Sequence, residues 1–198
     1  MTSETNPFLI RPMSTSLVLP TNSVRRIISH CDGDSKLHPL RDTVRIIANT
    51  GMCPAQLANL SIFDIDSEGR QLFICPTSAH GTIRRVPIQQ KTHATLLALH
   101  VWRDKSHFVL GSQADARIQE AASQFSTLAL PLTGRRSSLY FLHLSFEHRL
   151  MSTRIPIAVG DHLLGFHSLG WTLRNLHVNP EREAELVRGT IKHFLEEL

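Results

Sequence analysis

Residues 46–57 have the sequence IIANTGMCPAQL, which is the most informative stretch of the chain. Its first half continues an apolar pattern of helical period, and Gly51 stands where many helices end in a left-handed residue. Pro54 suits the first position of a new helix, because its missing N–H and fixed φ cost nothing there. The stretch therefore predicts a helix over about 39–49 and a short helix after a tight turn, over about 54–60.

On either side of this stretch the apolar period changes. Thr21 is expected to cap a helix that ends near Cys31, and residues 71–75 and 83–88 alternate as two strands of a hairpin with Gly81 in its turn. Pro131, Gly134 and the pair Arg135-Arg136 predict a loop. Further helices are expected at about 91–101, 113–126, 139–151, 156–164, 168–177 and 181–198. The pattern predicts an α+β fold that is mostly helical, with one small antiparallel β-sheet near the front.

The composition is that of an ordinary soluble domain. With 198 residues, 41% hydrophobic and 19% charged, the chain is long enough for one well-buried core. No apolar run reaches the roughly 20 residues of a membrane span, and no secretory signal is visible, so we expect a cytoplasmic protein without a membrane partner. Its three cysteines are widely spaced and odd in number, which favours a reducing compartment.

The domain boundary and the absence of cofactors are also predicted from the sequence. Residues 1–20 are polar and contain three prolines, so we expect a flexible lead-in followed by one domain over 21–198. The chain has no Cys-x-x-Cys or His-Glu-x-x-His pattern and no glycine-rich phosphate loop, so neither a metal nor another cofactor is expected. The net charge of +4 permits a polyanionic partner without requiring one.

Five segments, in order and at suitable intervals, resemble the conserved boxes of the tyrosine recombinase (phage integrase) family. In that family a helix ends in Thr-Gly-Leu/Met before the first catalytic Arg, and a hairpin presents a catalytic Lys. A His-x-Leu-Arg box, a Leu-Leu-Gly-His-Ser box and the segment of the nucleophilic Tyr follow. The matching segments here are residues 41–66, 71–88, 143–146, 163–169 and 172–178. The resemblance implies the catalytic-domain fold of these DNA breaking-rejoining enzymes. It also implies that the N-terminal core-binding domain of the family has no counterpart in the twenty lead-in residues.

The resemblance implies a site whose chemistry is lost. The family attacks a DNA phosphodiester with a tyrosine, while two Arg, a His and a Lys stabilise the transition state and the leaving oxygen. Here His143 alone keeps its family identity, and no intact catalytic residue is expected at the other positions, which are Cys53, Ala79, Phe146, Phe166 and Asn175. The chain has one tyrosine, Tyr140, outside the segment of the nucleophile. A one-residue shift would bring in His167 or Arg174, but it would not supply a tyrosine.

Some residues keep two interpretations. The candidate DNA contacts are Arg84, Arg85, Arg135, Arg136 and His143. Because neighbouring side chains on a strand point to opposite faces, at most one of Arg84 and Arg85 can point at DNA. His143 either touches a phosphate or makes a local hydrogen bond. Cys53 is either a reactive thiol near a helix N-terminus or a small buried hydrophobe.

The leading hypothesis is a DNA-binding protein that acts in recombination or in the integration of mobile elements, as a repressor or accessory factor without strand cleavage. Its partner would be double-stranded DNA, in the bacterial cytoplasm or at the nucleoid, and its affinity would be low unless it oligomerises. An alternative is an interaction subunit, a homo-oligomer or a hetero-oligomer with an active recombinase, that pairs through residues 181–198. Packing of that helix on its own domain is an equal alternative. An active site-specific recombinase is the third reading.

Overall fold

The computed structural model describes residues 17–77, 83–100, 106–152 and 163. Helix α2, His38–Thr50, lies at the centre and packs against α1, α4, α5 and α6. The helices around it are α1 Thr21–Asp32, α3 Pro54–Ala58, α4 Gln90–Leu99, α5 Ala114–Thr133 and α6 Leu139–Ser152. All the helices expected in the described part of the chain are therefore present.

The central position of α2 follows from its sequence. Its apolar side chains face more than one direction, and Leu40, Val44, Ile46 and Ile47 are all completely buried. Burial of an aliphatic side chain of this size stabilises the folded state by roughly 1.5–3 kcal/mol. The helix ends at Gly51, whose φ is 63° and whose N–H donates to the carbonyl of Ile47 at 2.9 Å. The left-handed end predicted for this glycine is confirmed.

The sheet has three antiparallel strands in the order β1-β2-β3, with β1 Ile65–Asp66, β2 Gln71–Ile74 and β3 Arg84–Pro87. The hairpin predicted from the alternating pattern is confirmed, and β1 adds a short edge strand to it. Within the hairpin Leu72 faces Val86, Phe73 faces Arg85 and Ile74 faces Arg84. Leu72, Ile74, Arg84 and Val86 are buried on the inner side, whereas Arg85 is exposed on the outer side.

Helix α5 is longer than its sequence suggests. Pro131 was expected in a loop, yet α5 continues through it to Thr133. A proline removes a single N–H, and here that loss falls in the last turn, where the helix ends. Gly134 takes a left-handed φ of 72° and its N–H donates to the carbonyl of Leu130 at 2.8 Å, so the helix ends at Thr133, beyond the expected end near residue 126.

The expected flexible lead-in is wrong for its last residues. Leu19 is buried, and its N–H donates to the hydroxyl of Ser145 at 2.7 Å. Pro20, instead of Thr21, is the N-cap of α1, and its carbonyl accepts from Ser23 and Val24. Residues 17–20 are therefore packed against the domain.

Several predictions lie outside the described residues. These are the lead-in over 1–16, the hairpin turn with Ala79, the helices at about 156–164, 168–177 and 181–198, and the positions of Phe166 and Asn175. Among the described helices, none is both long and apolar enough to cross a membrane.

Candidate functional site

The site lies where α2 ends, and Gly51 is at its centre. Phe146 of α6 packs directly against this glycine. A Cβ added at Gly51 would lie only 2.7 Å from Cε1 and 2.9 Å from Cγ of the ring. Phe146 is fully buried. The apolar ring therefore occupies the space directly beside the α2–α3 turn.

Arg84 enters the same region from β3. It is only 2% exposed, and its guanidinium donates to the carbonyl of Gly51 at 2.7 Å and to the carbonyl of Leu163 at 2.6 Å. A third bond reaches Oε1 of Gln56 at 3.1 Å. Arg84 was a candidate DNA contact, and this expectation is wrong, because the strand places its side chain on the inner face and backbone carbonyls take up its donors.

The charge of Arg84 is costly to bury. Burial lowers the pKa of the guanidinium to about 10. The negative forms of Cys53 and Glu147 act in the opposite direction and raise this pKa. The group is still protonated at neutral pH. A buried cation of this kind needs acceptors around it, and the three acceptors named above bind its two terminal nitrogens, whereas its Nε is buried without a hydrogen-bond partner.

His143 also points at Gly51. Its Nδ1 lies 2.7 Å from the Gly51 carbonyl, and its Nε2 lies 3.2 Å from a carboxylate oxygen of Glu147, one turn further along α6. A carbonyl oxygen can only accept, so Nδ1 must carry a proton. The structure therefore favours the local hydrogen bond over a phosphate contact for this residue.

Arg149, which the sequence analysis did not single out, is a further cation at the end of α2. Its Nη2 donates to the carbonyl of Ala48 at 2.7 Å. It lies three residues after Phe146 and thus on the same side of α6, a spacing that is visible in the sequence. The carbonyl end of a helix carries partial negative charge, so Arg84, His143 and Arg149 together stabilise the C-terminus of α2.

Cys53 is the first residue of the turn into α3. It is half-buried, and its N–H donates to Oε1 of Gln56 at 3.0 Å, which closes the start of the helix. The amide of Gln56 also donates to the carbonyl of Cys75 at 3.3 Å. Gln56 therefore connects α3, the end of β2 and Arg84, where the resembled family carries a carboxylate.

Tyr140, the sole tyrosine of the chain, lies at the edge of this cluster. Its ring centroid is 5.1 Å from that of His143, and the side chain is about half exposed. Partial burial, and then the negative charges of Glu147 and Cys53, raise the pKa of its hydroxyl. A raised pKa keeps the phenol protonated, which is the opposite of what an attacking phenolate needs.

We expect the ionisation of Tyr140 to show this environment directly. Because no other tyrosine is present, the near-ultraviolet absorbance change of the folded protein on raising the pH reports this hydroxyl. The midpoint should lie above the ordinary value of 10.0. Replacing Glu147 with glutamine removes one negative neighbour and should lower the midpoint. An unchanged midpoint in that variant would mean that Glu147 does not act on Tyr140.

The other candidate DNA contacts lie at the surface. Arg85 is exposed on β3, and its guanidinium carbon lies 5.3 Å from the ring centroid of Phe73. Arg136 is exposed in the turn between α5 and α6. Arg135 is half-buried and donates to the carbonyl of Val18 at 3.2 Å, so part of its side chain holds the segment before α1.

The structure therefore brings together only part of the predicted site. Cys53, Phe146 and His143 meet around Gly51, as their places in the resembled boxes imply. Arg84 joins them, and Arg85 and Arg136 do not. In the described part of the chain, no three His, Cys, Asp or Glu side chains are grouped as metal ligands.

Solved structures of tyrosine recombinases share this fold. XerA recombinase superposes with a TM-score of 0.61 at 17% identity, over 85% of this chain and 63% of that chain. The Tn1549 transposon integrase, in complex with transposon right end DNA, has a TM-score of 0.61 at 14% identity, over 87% and 65%. XerH site-specific recombinase, bound to its difH substrate in a pre-cleavage complex, has a TM-score of 0.61 at 19% identity, over 85% and 52%. No family model matches the chain, and no curated protein sequence matches it.

These likenesses define the class of fold. The mostly helical domain with its three-stranded antiparallel sheet is the catalytic-domain fold of tyrosine recombinases and integrases. The chain spans about two thirds or less of the length of these solved chains.

Proposed function

We propose that this protein binds double-stranded DNA in a recombination or integration system and does not cut it. It would act in the cytoplasm, as a repressor or accessory factor on mobile-element DNA. The fold supports the first part, because the Tn1549 integrase and XerH structures that share it hold DNA. The modest positive charge of the chain is compatible with that partner.

The arrangement around Gly51 is the observation that supports the loss of cleavage. Stabilising the transition state of phosphoryl transfer requires cations aimed at the phosphate oxygens. Here the bonds of Arg84, His143 and Arg149 described above end on backbone carbonyls and on the side chains of Gln56 and Glu147. Phe146 fills the adjoining space with an apolar ring. The cations of the site therefore serve the C-terminus of α2.

Binding is tested by the fluorescence anisotropy of a labelled duplex, first at low salt and then over a salt series. We expect binding that weakens steeply as salt rises, since each phosphate contact contributes a slope of about −0.9 in log K against log salt. Arg136→Ala should reduce the magnitude of the slope by about one, whereas Arg136→Lys should keep it. If no duplex is bound even at low salt, the protein does not have this function.

Cleavage is tested on the same protein with a nicked suicide duplex, which traps a covalent protein–DNA adduct when a nucleophile attacks. We expect no adduct from the wild-type chain, with a known active recombinase as the positive control. If an adduct forms and Tyr140→Phe abolishes it, the sole tyrosine is a nucleophile and the proposed lack of cleavage is wrong. An adduct that survives in Tyr140→Phe would indicate a different nucleophile and would also contradict the proposal.

A further inference from the structure

The outer face of the sheet carries an aromatic ring with a cation over it. Phe73 on β2 and Arg85 on β3 are direct partners in the antiparallel register. The guanidinium carbon of Arg85 lies 5.3 Å from the centre of the Phe73 ring. Both side chains point away from the buried Leu72 and Val86, because neighbouring residues on a strand alternate between the two faces. We call this pair the Phe73–Arg85 platform.

An exposed aliphatic side chain extends the platform. Ile83 lies directly before β3, two residues from Arg85, and 60% of it is exposed. The surface thus combines a half-buried ring, a cation and an aliphatic group in contact with solvent. The carboxylates at the edge strand, Asp64 and Asp66, accept the backbone N–H groups of Ser61 and Gly69. A ligand complementary to this surface has a flat apolar face and a negative charge next to it.

We propose that the Phe73–Arg85 platform binds an unpaired nucleobase, which stacks on the platform while the guanidinium pairs with an adjacent phosphate. Stacking on aromatic rings and on arginine is how proteins hold single-stranded nucleic acids. Within a continuous duplex each base face is covered by the next base pair. The platform therefore selects DNA that is looped out, frayed or single-stranded. This inference rests on the proposed DNA binding and goes beyond it in naming the form of DNA.

The experiment compares three labelled probes by fluorescence anisotropy with the full chain. One is a fully paired duplex, the second is the same duplex with a central run of unpaired thymines, and the third carries that run in RNA. We expect the probe with unpaired thymines to bind about tenfold more tightly than the paired duplex, the range for one or two stacked bases. The RNA probe distinguishes a base-only contact, with equal affinity, from one that also depends on the sugar.

Matched variants separate stacking from charge. Phe73→Leu keeps an apolar side chain without the ring, and it should remove the preference for unpaired thymines while the paired duplex binds as before. Arg85→Lys keeps the charge without the planar group, and it should reduce the preference in the same way. Phe63→Leu is the control, because it removes a ring that is 84% exposed but lies outside the platform. Thermal unfolding of each variant checks that the domain is intact.

Each outcome decides between the two proposals. Equal binding of paired and unpaired probes, or a preference that Phe73→Leu leaves intact, overturns the platform while the proposed duplex binding stands. Loss of the preference in Phe73→Leu and Arg85→Lys, with Phe63→Leu unchanged, supports the platform. Failure to bind any of the three probes overturns both proposals.

Discussion

Replacing Arg84 with alanine is expected to lower the free energy of unfolding by about 2–5 kcal/mol, because buried acceptors lose their donors and a cavity is left. The guanidinium donates to two backbone carbonyls and to the amide oxygen of Gln56, all inside the domain. Alanine leaves these acceptors with fewer donors and creates a cavity beside them. Urea unfolding followed by far-ultraviolet circular dichroism measures the change.

The neighbouring arginine is a matched control for this prediction. Arg85→Ala removes the same side chain from the next position of the same strand, but from its exposed face. Its cost should be about 1 kcal/mol or less, because an exposed contact between an arginine and a ring contributes little. Arg84→Lys should fall between the two, since a lysine keeps the charge but not the fork of donors. Similar losses in Arg84→Ala and Arg85→Ala would contradict the buried role of Arg84.

The second large effect is expected at Gly51, where alanine should cost about 2–5 kcal/mol. Two separate penalties contribute to this loss. The φ of 63° is unfavourable for a residue with a Cβ, and the added methyl group would overlap the ring of Phe146. Neither can be relieved easily, because Gly51 ends the central helix and Phe146 is fully buried.

Replacing Gly134 measures the backbone penalty without the steric one. It ends α5 with a φ of 72°, and nothing lies within 4 Å of an added Cβ. Gly134→Ala should therefore show the backbone penalty alone, about 1–2 kcal/mol. In a Phe146→Leu background, Gly51→Ala should cost less than in the wild type, because leucine can move aside. If Gly51→Ala and Gly134→Ala cost the same, the ring of Phe146 does not restrict Gly51.

The regular elements of the fold were predictable because their causes are local. The apolar period of α2 and the glycine after it predict both the helix and its left-handed end. Alternation over 71–75 and 83–88 predicts the hairpin. The prediction that Pro131 lies in a loop was wrong, because α5 continues through this proline in its last turn. The helix ends at the left-handed Gly134.

The candidate site was predictable only in part. Cys53, Phe146 and His143 were placed by their spacing within resembled boxes, and they do meet around Gly51. Arg84 and Arg85 were both candidate DNA contacts, and alternation along the strand allowed at most one of them to point outward. The sequence did not show which one. Arg149 was not singled out, because nothing local in the sequence indicates that its partner is the carbonyl of Ala48, about a hundred residues earlier.

The sequence by itself determined which residue types stand in the segments that resemble the boxes, among them Cys53 and Phe146, and that the chain has a single tyrosine. This is a matter of residue identity, and no folding can alter it. The tertiary structure decided where the remaining cations are used. Arg84 lies on β3, and His143 and Arg149 lie on α6. Both elements are far from α2 in sequence, and only tertiary packing brings these side chains to its carbonyl end. There each side chain makes a hydrogen bond to a backbone carbonyl at the negative end of the helix.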